Sequence, residues 1–316
     1  MGPGPGLEPL VRILIWHVHG SYTSAFIRGG HEYVLPLVPD RGPDGRGRAQ
    51  TFDWPASARE VPFDRLRDER VDVAVFQRPH EPELAREWLG RDVPAVYVEH
   101  NTPAGDVPRT RHPLAGQSAV TLVHVTHFNE LYWDNGRAPT RVVEHGVPDP
   151  GHLYTGELPR AGVVVNEPVR RTRVAGTDLL PRFAERVPLD VFGMKVDGLP
   201  YGTFEDLPQH VMHAELARRR AYLHPYRWTS LGLALIEAMT LGLPVVALAA
   251  TEAIEAVPPE AGVLSTRVDV LADALHAFVA DPESAAQAGK AARAAALARY
   301  GLDRFLTDWD RVLTEV

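Results

Sequence analysis

The chain has 316 residues and no cysteine, which removes structural disulfides and thiolate chemistry and is compatible with a reducing cytoplasm. Basic residues are in deficit, 33 Lys and Arg against 41 Asp and Glu, for a net charge of −8. Binding to nucleic acid or to an anionic membrane surface through counterion release needs a basic face, so this balance argues against both. No run approaches the roughly 20 consecutive apolar residues of a spanning helix. The opening Met1-Gly-Pro-Gly-Pro-Gly has neither the basic region nor the apolar core of a signal peptide, so it reads as a flexible tail. No Asp-x-Asp metal motif occupies a strand end, and no two carboxylates stand out as a nucleophile and acid pair. Neither a bound metal nor a cofactor is therefore expected, and the expected location is cytoplasmic.

What is present is 45% apolar residues, enough for the cores of two ordinary domains. Apolar runs at 10–17, 71–77, 94–98, 120–125, 161–165, 189–193, 221–223 and 245–248 read as buried strands. Helical spacing marks 81–89, 213–220, 269–279, 284–300 and 302–316. Strands alternating with helices imply an α/β fold with parallel, doubly wound sheets. The Gly- and Pro-rich 41–48 is expected to be an exposed loop, 103–113 a mobile loop, and the Arg218–Arg220 run a solvated helix face. Carboxylates in 251–255 are expected to cap a helix.

The organising stretch runs from His224 to Ala247. A strand ends, a polar loop follows, Leu231, Leu235 and Met239 repeat at helical spacing, and Gly242 and Pro244 stop the helix before the next strand. With Gly232 at the helix mouth behind Thr229 and Ser230, free backbone N–H groups would face an anion. Glu237 lies one to two turns inside, on the Leu233–Thr240 side, where a carboxylate can accept hydrogen bonds from vicinal hydroxyls such as those of a ribose. The first strand opens into His17-Val18-His19-Gly20-Ser21, and such strand ends are where open α/β sheets place ligands. The paired His17 and His19, with His124 and His127, also imitate the start of a metal-dependent hydrolase barrel.

The run at 224–247 resembles the signature of family 4 retaining glycosyltransferases, in which a Glu, seven residues, a second Glu, Ala-Met, Gly and Pro-Val-Val-Ala follow a strand end. Glu237 matches the second Glu, and Thr229 stands where the first would be. The resemblance covers 11–316 and is strongest from 161 onward. It implies two Rossmann-like domains facing a cleft, the GT-B arrangement, with a shortened N-terminal domain. The implied division is an acceptor-side domain at 10–148, a nucleotide-sugar domain at 149–300, and a helix at 301–316 packing back toward the first. It implies metal-independent transfer from a nucleotide-diphosphate sugar to a small-molecule or glycan acceptor.

By the same resemblance, His100 is the histidine presented to the cleft, Glu237 binds the ribose, and Gly20, Thr229, Ser230, Leu231 and Gly232 hold the donor. Where relatives hold the diphosphate with an Arg and a Lys, this chain has Arg170, Arg171 and Arg173, and Ala175 at the Lys position. One of the three points inward, and Arg173 takes the catalytic place. The changes at Thr229 and Ala175 keep an alternative open, a catalytically silent nucleotide-sugar-binding protein or subunit.

Overall fold

In the computed structural model, which describes residues 10–316, short apolar runs form buried strands that pair in parallel throughout. The tail at 1–6 lies outside the described residues. The first half comprises β1 (Arg12–Ile15), α1 (Gly20–Phe26), β2 (Glu32–Leu37), β3 (Ala58–Pro62), β4 (Val73–Phe76), α2 (Glu81–Leu89), β5 (Ala95–Glu99), β6 (Thr121–His124), α3 (His127–Tyr132) and β7 (Thr140–Val142). The second comprises β8 (Leu158–Val164), α4 (Thr172–Ala175), α5 (Leu180–Ala184), β9 (Leu189–Gly193), β10 (Gly202–Glu205), α6 (Gln209–Leu216), β11 (Arg219–His224), α7 (Leu233–Leu241), β12 (Val245–Leu248), α8 (Ala253–Ala256), β13 (Gly262–Ser265), α9 (Val268–Ala280) and α10 (Pro282–Tyr300). A last helix, α11 (Leu302–Thr314), follows.

The strands form two sheets, ordered β3-β2-β1-β4-β5-β6-β7 and β10-β9-β8-β11-β12-β13. Both are doubly wound α/β sheets, as expected, and each is covered by apolar residues on both faces. Double coverage explains why the strands read as unbroken apolar runs instead of alternating ones. Strand order reverses between β1 and β4 in one sheet and between β8 and β11 in the other, which creates a crevice at the carboxyl ends of each. The helix α11 returns to the first sheet, where Phe305 and Trp309 are buried and Trp309 meets Phe26 edge-on at 4.9 Å. No helix among the described residues is long and apolar enough to cross a membrane.

Several expectations are corrected. β1 is shorter than 10–17, because the chain turns into the cleft after Ile15. β3 and β10 lie in stretches whose weak apolar content hid them. Helix 213–220 ends at Leu216, and Arg219 and Arg220 begin β11. Far from being solvated, Arg219 is 3% exposed, pairs with Asp190 at 2.8 Å, and lies over the rings of Phe192 and Phe204. The 41–48 loop is not wholly exposed: Gly45 and Gly47 are buried, and Leu37 bridges to Arg46. The 103–113 loop is pinned, since buried His112 bonds Glu99 at 3.0 Å and the Pro103 carbonyl accepts from Trp228 Nε1 at 2.9 Å.

Removing one partner of a buried ion pair strands the other charge, which typically costs at least about 3 kcal/mol. Asp190→Ala should therefore lower unfolding free energy by about 3 kcal/mol, the smaller end of that effect because Glu215 still reaches Arg219 at 2.8 Å. Denaturant titration checks it; a loss of no more than a surface substitution would show that the pair is not structural.

Candidate active site

Between the two sheets lies a cleft of about 560 Å3, walled by residues that follow the carboxyl ends of β1, β5, β8 and β11. The two switch points thus face one space. From the second half, Gly232 caps α7 in an extended conformation, and the N–H groups of Leu233 and Ala234 precede the first helical bond, Leu235 to the Gly232 carbonyl at 2.9 Å. Both residues line the cleft, so these donors face it with the positive end of the helix. The helix is apolar or buried nearly all round, which makes its one carboxylate conspicuous.

That carboxylate is Glu237, 4% exposed and lining the cleft. Gln209 Nε2 donates to its Oε1 at 3.0 Å, and His213 Nε2 lies 3.7 Å from its Oε2, a charge contact longer than a hydrogen bond. Burial opposes ionisation, but His213, Gln209 and Ser21 together outweigh it and hold the Glu237 carboxyl below its ordinary range. A buried, ionised acceptor with spare lone pairs is suited to a pair of hydroxyls.

The arginines separate clearly. Arg170 is exposed and bound to Glu167. The Arg173 side chain is 77% exposed, sits 3.9 Å from Asp178, and is not among the residues that wall the cleft. It therefore does not occupy the catalytic place expected of it. Arg171 does line the cleft, with its guanidinium 5.6 Å from the Tyr226 ring centre. The short helix that follows Arg171 ends at Gly176, which at φ 72° lies so close to the Pro225 carbonyl that any Cβ would overlap it. Ala175, expected by the resemblance to stand at a Lys position, is completely buried in the core and offers nothing to a ligand.

Thr229, half-buried, and Leu231 line the cleft too. Ser230 is buried and its hydroxyl is bonded to Thr126 Oγ1 of the other half at 3.1 Å. From the first half, Gly20 and His100 line the wall. The tautomer of His100 follows from its partner. Gln77 Nε2 donates to the Trp16 carbonyl at 2.8 Å, so Gln77 Oε1 faces His100 Nε2 at 2.9 Å and must accept from it. His100 is thus protonated on Nε2 and carries its lone pair on Nδ1.

The sequence reading missed a group. His17, His19, His145 and His224 join His100 in walling the cleft. A signal existed, since β1, β5, β7 and β11 each end in or lead within three residues to one of these histidines. Burial lowers His145 and His224 to about 3, and lowers His100 well below the ordinary range, with the charges of His19 and His145 adding to it. His19 is lowered as well, mainly by burial, although its ring is open to cleft water that screens the effect. The cleft is therefore lined by neutral imidazoles at neutral pH. His124 is bonded to Asn135 at 3.0 Å, away from this space, and no group of three or more potential ligands able to hold a metal occurs among the described residues. With two separate parallel sheets and no closed barrel, the hydrolase-barrel reading is overturned.

The comparisons agree with this geometry. Residues 204–295, which contain α7 and Glu237, match the family model described as glycosyl transferases group 1. No curated protein matches the chain. Among solved structures, the sucrose-phosphate synthase of Thermosynechococcus elongatus aligns at TM-score 0.71 and 14% identity, over 96% of this chain and 98% of that one. Anabaena HepE in complex with UDP aligns at 0.67 and 14%, over 97% and 100%. A Rickettsia africae glycosyltransferase aligns at 0.63 and 12%, over 98% and 99%. The fold is GT-B, and a segment of its second half matches the group 1 glycosyl transferase model.

The buried histidines make stability depend on pH. Their folded pKa values lie below the unfolded value of about 6.5, so the unfolded chain takes up protons that the folded one refuses as pH falls beneath it. The stability they allow is complete above that value and is lost toward acid at up to about 1.4 kcal/mol per pH unit for each histidine. Unfolding free energy should fall from pH 7 to pH 5, and His145→Asn should flatten the slope by about one proton. Denaturant melts at pH 7, 6 and 5 test this; parallel slopes for the two proteins would contradict it.

Proposed function

We propose that the chain is a retaining glycosyltransferase of the family 4 type, acting in the cytoplasm without a metal and moving a sugar from a nucleotide-diphosphate donor to a hydroxyl acceptor. The observation that carries this is the convergence on one cleft of Glu237, Arg171 and the free N–H groups of Leu233 and Ala234. A carboxylate suits the ribose diol, and the arginine and helix terminus suit the diphosphate some way from it. The division into an acceptor side at 10–148 and a donor side at 149–300 belongs to this reading.

In the reaction, the bond between the anomeric carbon and the diphosphate oxygen breaks while the acceptor hydroxyl oxygen bonds to that carbon from the same face. The hydroxyl proton passes to the departing phosphate oxygen, and the nucleoside diphosphate leaves. Charge on the diphosphate grows as the bond breaks, so Arg171 and the α7 terminus interact more strongly with the transition state than with bound donor. His100, neutral and held by Gln77, offers Nδ1 as an acceptor for a sugar hydroxyl. With Ser230 engaged by Thr126, Thr229 is the hydroxyl of this loop that remains to reach the far hydroxyls of the sugar. Thr229 in place of a carboxylate and the buried Ala175 favour a second reading, a silent nucleotide-sugar binder.

A thermal-shift panel of UDP-, GDP-, dTDP- and ADP-sugars tests the site. UDP donors come first because the HepE structures were obtained with UDP and with UDP-glucose. A donor at 100 times its Kd should add about 2.7 kcal/mol of stability. Glu237→Gln should then weaken the matching nucleoside diphosphate by roughly 10-fold or more in calorimetry. Arg171→Ala should impair turnover severely and Arg173→Ala mildly. Equal effects of the two arginines, or an unchanged affinity in the folded Glu237 variant, would remove these residues from their roles.

A further inference from the structure

The cleft carries a second free cation, and it lies on the wall opposite Arg171. The 41–48 loop is tied down along its length: Val38 N–H donates to the Gly45 carbonyl at 2.9 Å, Gly47 N–H to Pro36 at 3.0 Å, and Trp16 Nε1 to Asp44 at 2.9 Å. The neighbouring arginines are all consumed by structure. Arg41 bonds Glu60 at 2.9 Å and the Arg46 carbonyl at 3.0 Å, Arg48 donates to the Pro55 carbonyl at 2.8 Å, and Arg78 pairs with Glu81 at 2.7 Å and Asp44 at 3.1 Å. Arg46 differs. Its guanidinium has no ion-pair or hydrogen-bond partner among the described residues, and it lines the cleft beside His17, His19 and Thr51.

The charge of Arg46 reaches those rings, contributing, after burial, to the lowering of both His17 and His19. The carboxylates that line the cleft, Glu237 and Asp206, belong to the other half, so the wall around Arg46 holds positive charge and neutral hydrogen-bonding groups only. A donor diphosphate already has Arg171 and the α7 terminus on the second half. Arg46 is exposed where it lines the cleft, so an uncharged acceptor would leave its guanidinium to water and gain nothing from it. A carboxylate or phosphate would instead be met by the planar fork in a bidentate pair.

We propose that the acceptor is anionic, a phosphate monoester or carboxylate seated on Arg46, with the Thr51 hydroxyl and the His17 and His19 rings completing its contacts. This rests on the transferase reading for the word acceptor, while the anion site itself is tested separately. The probes are glucose 6-phosphate, glycerol 3-phosphate and glucuronate, each against its uncharged parent, titrated calorimetrically into wild type, Arg46→Ala and Arg46→Lys, with and without saturating UDP. At least one charged probe should bind far more tightly than its parent, and Arg46→Ala should weaken it roughly 10- to 100-fold, with Arg46→Lys between the two. The UDP affinity of Arg46→Ala should stay within about twofold of wild type. The phosphate and glucuronate arms tell the two anion classes apart.

The proposal is overturned if charged and uncharged probes behave alike, if no probe shows a gain that depends on Arg46, or if Arg46→Ala loses UDP affinity as strongly as sugar-phosphate affinity. That last result would place Arg46 in the donor site. Failure of wild type to bind any nucleotide sugar counts against the transferase reading alone, because Arg46-dependent anion binding is read in the nucleotide-free protein.

Discussion

The chain passes between its two halves twice, and the two passages are bonded to each other. Val147 N–H donates to the Tyr300 carbonyl at 3.0 Å, and Val147 bridges in parallel to Gly301. Beside this crossing, Gly146 touches Phe305 so closely that any Cβ would overlap the ring's attachment, and Phe305 is completely buried in the first core. The two crossings therefore lie side by side as one seam between the halves. Around it, Arg299 binds Glu144 at 2.5 Å and Glu252 at 2.9 Å, and Glu252 also accepts the Phe128 N–H at 2.9 Å. The crevice of each sheet is useful because this seam sets the two crevices face to face.

That arrangement decides the electrostatics of the space between. Arg46 lines the cleft from the first half and Arg171 from the second, which also contributes the ionised Glu237, and neutral histidines from both halves line the same space. Burial keeps those imidazoles uncharged, so they offer hydrogen bonds without adding to the field. Positive charge is thus concentrated at two points instead of spread over the cleft, and on the proposed reading one serves the group that leaves and the other the group that attacks.

The fold was legible because parallel strands covered on both faces must be written as apolar runs, and helices such as 81–89 begin and end where their proline and glycine signals lie. Glu237 and Gly232 were legible as a local pattern on one helix. What was not legible depended on contacts between distant segments. Arg219 read as one of three surface arginines because its partners Asp190, Phe192 and Phe204 lie in other strands. Of Arg170, Arg171 and Arg173 only Arg171 lines the cleft, a choice that three arginines within four residues do not spell out, and Arg46 sits in a loop whose Gly and Pro content resembles any exposed connection. The tautomer of His100 depends on Gln77, 23 residues away.

The central claim is that this cleft performs group transfer and does more than bind a nucleotide sugar. The most direct measurement is the release of nucleoside diphosphate from the donor that binds best, followed with and without phosphorylated and uncharged acceptors, with the anomeric proton coupling of the product read by NMR. Release should rise on adding an acceptor, and the product should keep the anomeric configuration of the donor. Saturable donor binding with no release above the uncatalysed rate for any acceptor would contradict it and leave the chain a silent binder.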